Sequence, residues 1–128
     1  MATEVTHGIQ IKVETKYMDG FPNSEHPYFL FLYRVFIENK SDFAVKLLRR
    51  HWYIFDSSGE KREVEGEGVI GQQPVIYPNE IYEYESACNL ATEIGTMRGT
   101  YLMERDLDKA QFYAQIPEFE LVAPSRLN

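Results

Sequence analysis

Apolar residues recur at every second position through much of this chain, and no long stretch repeats them at helical spacing. Ile9, Ile11, Val13, Thr15 and Tyr17 alternate with Gln10, Lys12, Glu14 and Lys16. A period of two is the mark of a strand with one buried face. The segment 28–39, YFLFLYRVFIEN, goes further. Phe29, Phe31, Tyr33, Val35 and Ile37 line one face, while Tyr28, Leu30, Leu32 and Phe36 line the other. It reads as a central strand whose second apolar face also needs cover, by a second sheet in the first place and by another subunit in the second.

The rest of the chain follows the same rule. Residues 18–27, MDGFPNSEHP, are rich in turn formers and read as a loop. Along 43–56 the alternation breaks at Leu47-Leu48-Arg49-Arg50. Because Phe43, Val45, Trp52, Tyr53, Ile54 and Phe55 are strand formers, the break is read as a β-bulge. DSSGE, residues 56–60, is a hairpin turn with Gly59 free to take positive φ, and KREVEG returns as a polar strand. Further strands are expected around Tyr82 and Tyr84, around Met97, Gly99, Tyr101 and Met103, and around Phe112, Ala114 and Ile116. Pro117 marks an edge strand or a bend. About seven strands with short turns predict an all-β fold, an antiparallel two-sheet β-sandwich of immunoglobulin or fibronectin type III type. At 128 residues, one domain spanning 1–128 is expected.

Charge narrows the partners. The net charge is −7 at pH 7, which on average repels phosphates, so neither nucleic acid nor an anionic membrane is expected. Lys46, Arg49 and Arg50 form the one basic cluster. Cys88 is the single cysteine, which rules out an intrachain disulfide and a cysteine zinc site. The start MATEVTHGIQ lacks the basic and apolar regions of a signal peptide, and no apolar run is long enough to span a membrane. A cytoplasmic protein is expected.

One motif asks for a functional reading. Residues 65–74, EGEGVIGQQP, contain Gly66, Gly68 and Gly71 at the spacing of a dinucleotide-binding turn. That fingerprint works only between a buried parallel strand and the N-terminus of a helix. Here the preceding strand is polar and Gln72, Gln73, Pro74 and Pro78 follow, so the context fails on both sides. The backbone alternative is a glycine-rich crossover between the sheets, with positive φ and close approach. A third reading is an anion-binding nest of backbone N–H groups, which Glu65 and Glu67 oppose.

The run LLRRHWYIFDSSGEKREVEGEGVIGQQPVIYPNEIYEYESACNL resembles the ApaG family, as do IGTMRGTYLM and FYAQIPEFEL. The resemblance runs from about Ile9 to Val122 and rests on Arg-His-Trp, on the glycine loop and on the Met-x-Gly-x-Tyr strand. It implies a fibronectin type III-like sandwich. It also implies the link of bacterial members to cobalt resistance and magnesium efflux, with no established enzymatic activity. Related domains in eukaryotes lie within an F-box protein and a polymerase-interacting protein, which implies partner binding.

Other residues offer little chemistry. Arg50 and Trp52 share a strand face and His51 takes the other; Trp52 is expected in the core and Arg50 over an aromatic ring. His7, His26 and His51 are dispersed. Glu60, Glu63, Glu65, Glu67, Glu80, Glu83 and Glu85 follow the solvent face of strands, so no metal site and no cofactor are expected. Cys88 is expected as a buried or half-buried thiol. The leading expectation is a non-enzymatic protein that binds a protein partner, with a homodimer as one form of that. The alternative is a module for a phosphate-type anion, pyrophosphate or nucleotide. The candidate site for either is Gly66, Gly68 and Gly71 with Arg49, Arg50 and His51. A phosphoanhydride hydrolase is a third class, open only if a metal assembles among the acids.

Overall fold

A computed structural model describes residues 2–20, 25 and 28–124. Nine strands follow in order: β1 (Ala2–Thr6), β2 (Ile9–Gly20), β3 (Phe29–Asn39), β4 (Val45–Asp56), β5 (Lys61–Glu67), β6 (Val75–Ile76), β7 (Ile81–Leu90), β8 (Ile94–Arg105) and β9 (Gln111–Val122). They form two sheets, ordered β1-β2-β3-β7 and β5-β4-β8-β9, with β6 pairing the start of β4. Every pairing is antiparallel. The expected all-β sandwich is therefore observed.

The two strands beyond the expected seven have plain reasons for escaping the pattern. β1 is too short and too exposed to show a buried face. β6 is two residues long and sits between Pro74 and Pro78. The end of the expected 18–27 loop also moves, since Met18, Asp19 and Gly20 extend β2 past a bulge near Tyr17. Residues 21–24, 26 and 27 of that loop lie outside the described residues.

The β4 bulge lies where the alternation breaks. Leu47 pairs Met103 and Arg49 pairs Leu102, so Leu48 is the extra residue. This switches the buried set from Val45 and Leu47 to Trp52 and Ile54. Trp52 is 2% exposed, and its ring meets Tyr33, Phe119 and Tyr101 edge-on at 5.3, 5.9 and 6.3 Å. Aromatic contacts of this kind add to the burial of so large a side chain. β9 is the last strand of its sheet, and its register with β8 slips by one residue near Pro117.

Sheet-on-sheet packing selects one face of β3. Phe29, Phe31, Tyr33, Val35 and Ile37 are buried against the second sheet. Leu30, Leu32 and Phe36 point out of the sandwich and stay half-buried. The second sheet thus covers one apolar face of this strand and leaves the other to solvent.

Candidate functional site

The glycine segment begins on β5 and stays with one sheet. Gly68 donates its N–H to the Leu48 carbonyl at the β4 bulge (2.8 Å), and Leu47 donates to the Pro74 carbonyl (3.0 Å). Both ends are thereby tied to β4, and β6 continues along the same edge. The expected crossover between sheets is not here. It follows at residues 77–80, where Asn79 has φ 72 and donates to the Asn39 carbonyl (2.7 Å).

Each glycine has a distinct backbone or packing reason. Gly66 lies opposite Arg50 in the ladder, and a Cβ there would sit 2.8 Å from the Arg50 guanidinium. Gly68 has φ 58, and a Cβ would overlap the Gln72 carbonyl oxygen. Val69 and Gln72 exchange two backbone hydrogen bonds (2.8 and 3.0 Å) across Ile70 and Gly71. Ile70 has φ 47 and Gly71 φ 72, which defines a two-residue turn with both central residues left-handed. Val69 is fully buried and anchors the turn in the core, while Ile70 at its tip is 62% exposed.

The bulge organises the rest. Arg50 shares the inner side of β4 with Trp52, as expected, but among the described residues it does not stack on a ring. Its Nη1 donates to the Glu67 and Gly68 carbonyls, both at 3.0 Å. These carbonyls lie in the glycine segment, and accepting a charged donor is their stronger option. Arg98 takes the aromatic role, over Tyr53 at 4.8 Å and Phe55 at 5.6 Å on the outer face. Gln73 Nε2 adds a second donor to the Leu48 carbonyl (2.9 Å).

The six predicted site residues are therefore divided by the sheet. Arg50, Gly66 and Gly68 meet as one internal brace, with Gly71 at the turn beyond them. Arg49 and His51 face outward opposite Glu67 and Glu65. His51 Nδ1 lies 2.8 Å from Glu65 Oε1, and its Nε2 is 3.7 Å from Glu63 Oε2. The imidazole is stacked on Tyr53 with centroids 4.4 Å apart. Three carboxylates thus face the outward part of the set.

The structure also brings together residues that the strand pattern did not connect. Tyr84 of β7 and Tyr101 of β8 share a hydrogen bond between their hydroxyls across the sandwich. Burial raises the pKa of both phenols above the ordinary tyrosine range, and it raises Tyr33 beside them. Alternation assigns a side chain to a face but not to a partner in the opposite sheet, so no sequence signal marks this pair. At the far end, a cleft of about 560 Å³ opens between the β1–β2, β3–β4 and β8–β9 connections, walled by His7, Phe43, Arg105 and Phe112. Arg105 lies over Phe43 there, 5.2 Å from the ring centre, and pairs with Asp108 at 2.8 Å.

The remaining candidates are placed simply. His7 sits in the β1–β2 turn and His51 mid-strand, far apart in the fold's order; His26 lies outside the described residues. Among the described residues no three His, Cys, Asp or Glu side chains converge as metal ligands. All seven glutamates singled out in the sequence are exposed. Cys88 is 6% exposed, and burial pushes its thiol pKa up, as expected for a packing residue. No helix among the described residues is long and apolar enough to cross a membrane.

Known proteins match this arrangement throughout. The family model described as ApaG domain matches residues 19–105. A protein named ApaG from Anaeromyxobacter dehalogenans is 46% identical over 128 residues, covering all of both chains. Another ApaG protein, from Paramagnetospirillum magneticum, is 44% identical over 97% of this chain and 95% of its own. A crystal structure of a Bordetella pertussis protein described as ApaA is 35% identical, covers 96% of both chains and superposes with a TM-score of 0.85.

Proposed function

The chain belongs to the ApaG family, and for this member we propose a non-enzymatic role: binding a partner protein through the apolar tip of the glycine turn. One observation carries the reading. Ile70 is β-branched, holds φ 47 and is 62% exposed. A β-branched residue in the left-handed region costs on the order of 1–3 kcal/mol, and Asn or Gly would fill the position more cheaply. With its side chain mostly exposed, little of that cost is recovered within the fold. A partner that buries it recovers more. Tyr82 Oη contacts Gln72 Oε1 at 3.3 Å and so ties the turn to the start of β7. Tyr77 and Ile81, in the segment that leads into β7, are also exposed.

On this reading the cobalt and magnesium association of the family acts through a protein contact. The test uses the full chain and Ile70→Asn, a residue that tolerates positive φ. Ile70→Asn is expected to melt higher than the parent and to lose a polypeptide that the parent retains in affinity capture. Retention of the same polypeptides by both proteins would remove the reading. The anion alternative draws on Arg49 and on the N–H groups of Ile70 and Gly71, which make no backbone hydrogen bond among the described residues. Pyrophosphate or nucleotide at about a hundred times its Kd stabilises a fold by roughly 2.7 kcal/mol. A thermal-shift series with these ligands, with and without magnesium or cobalt and with product analysis, separates anion binding and hydrolysis from partner binding.

A further inference from the structure

The two sheets end on β1, β7, β5 and β9, and three of these edges are guarded. β9 carries Pro117 and a register slip, and β1 is five residues long. The two also meet, because the Gln115 N–H donates to Thr6 Oγ1 (3.1 Å). β5 is seven residues long and runs straight into the tied glycine segment. Proline, a bulge and shortness are ordinary protections of a sheet edge. β7 has none of them: its ten residues pair β3 without a register shift and include neither proline nor lysine.

The ladder fixes which backbone groups of β7 are open. Asn39 N–H donates to the Glu80 carbonyl (3.0 Å), so in the same register the even residues of β7 bond β3. The N–H and C=O groups of Glu83, Glu85 and Ala87 therefore point away from the sheet, and all three residues are exposed. Asn89 has the same parity, and its carbonyl accepts from Arg62, which reaches across from β5. At the other end Tyr82 Oη meets Gln72 Oε1. Between these ties lies residues 83–87, an open edge of about 17 Å. Beside it β5 overhangs. Val64 pairs with Trp52 and so points to the inner side of its sheet, yet Val64 is 41% exposed and Trp52 2%.

We propose that this edge takes an extended segment of a partner polypeptide as an added strand, one in which basic and apolar residues alternate. The open groups of Glu83, Glu85 and Ala87 supply the ladder. Partner residues opposite Glu83 and Glu85 point outward with them, where opposite charge is favoured. The residues between point inward beside Val64, where an apolar side chain is favoured. Glu63, Glu65 and Glu67 on the outer side of β5 add to the negative field. Charge also decides against β7 of a second copy. Antiparallel self-pairing centred on the open run sets Glu83 against Glu85, or one of them against itself. The inference does not depend on Ile70, so it and the glycine-turn reading can fail separately.

The probe is a short capped peptide of alternating lysine and valine, titrated into the full chain to about 1 mM at about 150 mM salt. NMR-detected hydrogen exchange is expected to slow about tenfold at the amides of Glu83, Glu85 and Ala87. Methylating the backbone nitrogens of the lysines, which would face β7, is expected to abolish this; methylating those of the valines is expected to leave it. A glutamate–valine peptide is expected not to bind, and Glu83→Lys, shown to be folded by circular dichroism, to weaken binding about tenfold. Unchanged exchange at the three amides overturns the proposal. So does equal binding by the two methylated peptides, which would mean charge attraction without a ladder. Protection of the same amides by self-association without peptide would make a second copy the occupant and overturn it as well.

Discussion

Replacing Gly68 by alanine tests whether the glycine motif serves the fold, because the structure separates Gly68 from Gly71. Both have positive φ, 58 and 72. A Cβ at Gly71 meets nothing within 4 Å, so Gly71→Ala bears only the left-handed strain, roughly 1 kcal/mol. At Gly68 the added carbon overlaps the Gln72 carbonyl, a backbone group that cannot rotate aside. That carbonyl accepts the Val69 N–H at 2.8 Å, and losing the bond costs about 1 kcal/mol more. Moving the turn also shifts Val69, which is fully buried, and strains the bond from Gly68 N–H to Leu48. Gly68→Ala is therefore expected to cost about 3 kcal/mol, or a fall in Tm near 10 °C, against about 3 °C for Gly71→Ala. Urea denaturation and calorimetry of both variants measure the difference. Equal losses, or a loss under about 1 kcal/mol at Gly68, would refute the reasoning and return the glycine to a ligand.

Three further outcomes follow from the same geometry. Trp52→Ala should lose about 3–5 kcal/mol by urea denaturation, since the indole is almost wholly buried among Tyr33, Tyr101 and Phe119. Burial raises the pKa of Tyr84 and Tyr101 in the folded state, so their contribution is complete below the ordinary tyrosine pKa of about 10 and is lost as pH rises beyond it toward the raised values. Stability measured from about pH 9 to 12 should fall, and Tyr84→Phe should flatten that fall; an unchanged slope would mean the phenol ionises freely in the folded chain. Titration calorimetry at about 150 mM salt should show no stoichiometric cobalt or magnesium binding tighter than about millimolar, and micromolar binding lost on replacing His51 would reverse this.

What the sequence made legible was local. The bulge at Leu48, the turn at Gly59 and the slip near Pro117 each leave a mark within a few residues: a broken alternation, a glycine between strands, a proline inside one. Gly59 has φ 94 and donates to the Asp56 carbonyl at 2.9 Å, as the DSSGE segment requires. The core position of Trp52 was equally readable from its strand and parity. What was not legible depended on which surfaces meet. Both faces of β3 are apolar in sequence, and only the docked second sheet shows that Phe29 to Ile37 is the buried set and Leu30, Leu32 and Phe36 the open one. The Tyr84–Tyr101 contact joins strands of different sheets, for which alternation carries no register.

The glycine spacing is instructive because two unrelated structures ask for the same letters. A dinucleotide turn needs glycines so that a ligand's phosphates can approach the backbone. Here the approaching groups belong to the chain itself. The Arg50 guanidinium occupies the space beside Gly66, and the Gln72 carbonyl occupies the space beside Gly68. Arg50 also donates to the carbonyls on either side of the Glu67–Gly68 bond, so its charge is directed into the backbone and away from solvent. The N–H groups of Gly68, Val69 and Gln72 are likewise spent on Leu48, Gln72 and Val69. In this fold the motif therefore builds a rigid support, and what the support holds out to solvent is Ile70. On the proposed reading, that exposed side chain is the point at which a partner makes contact.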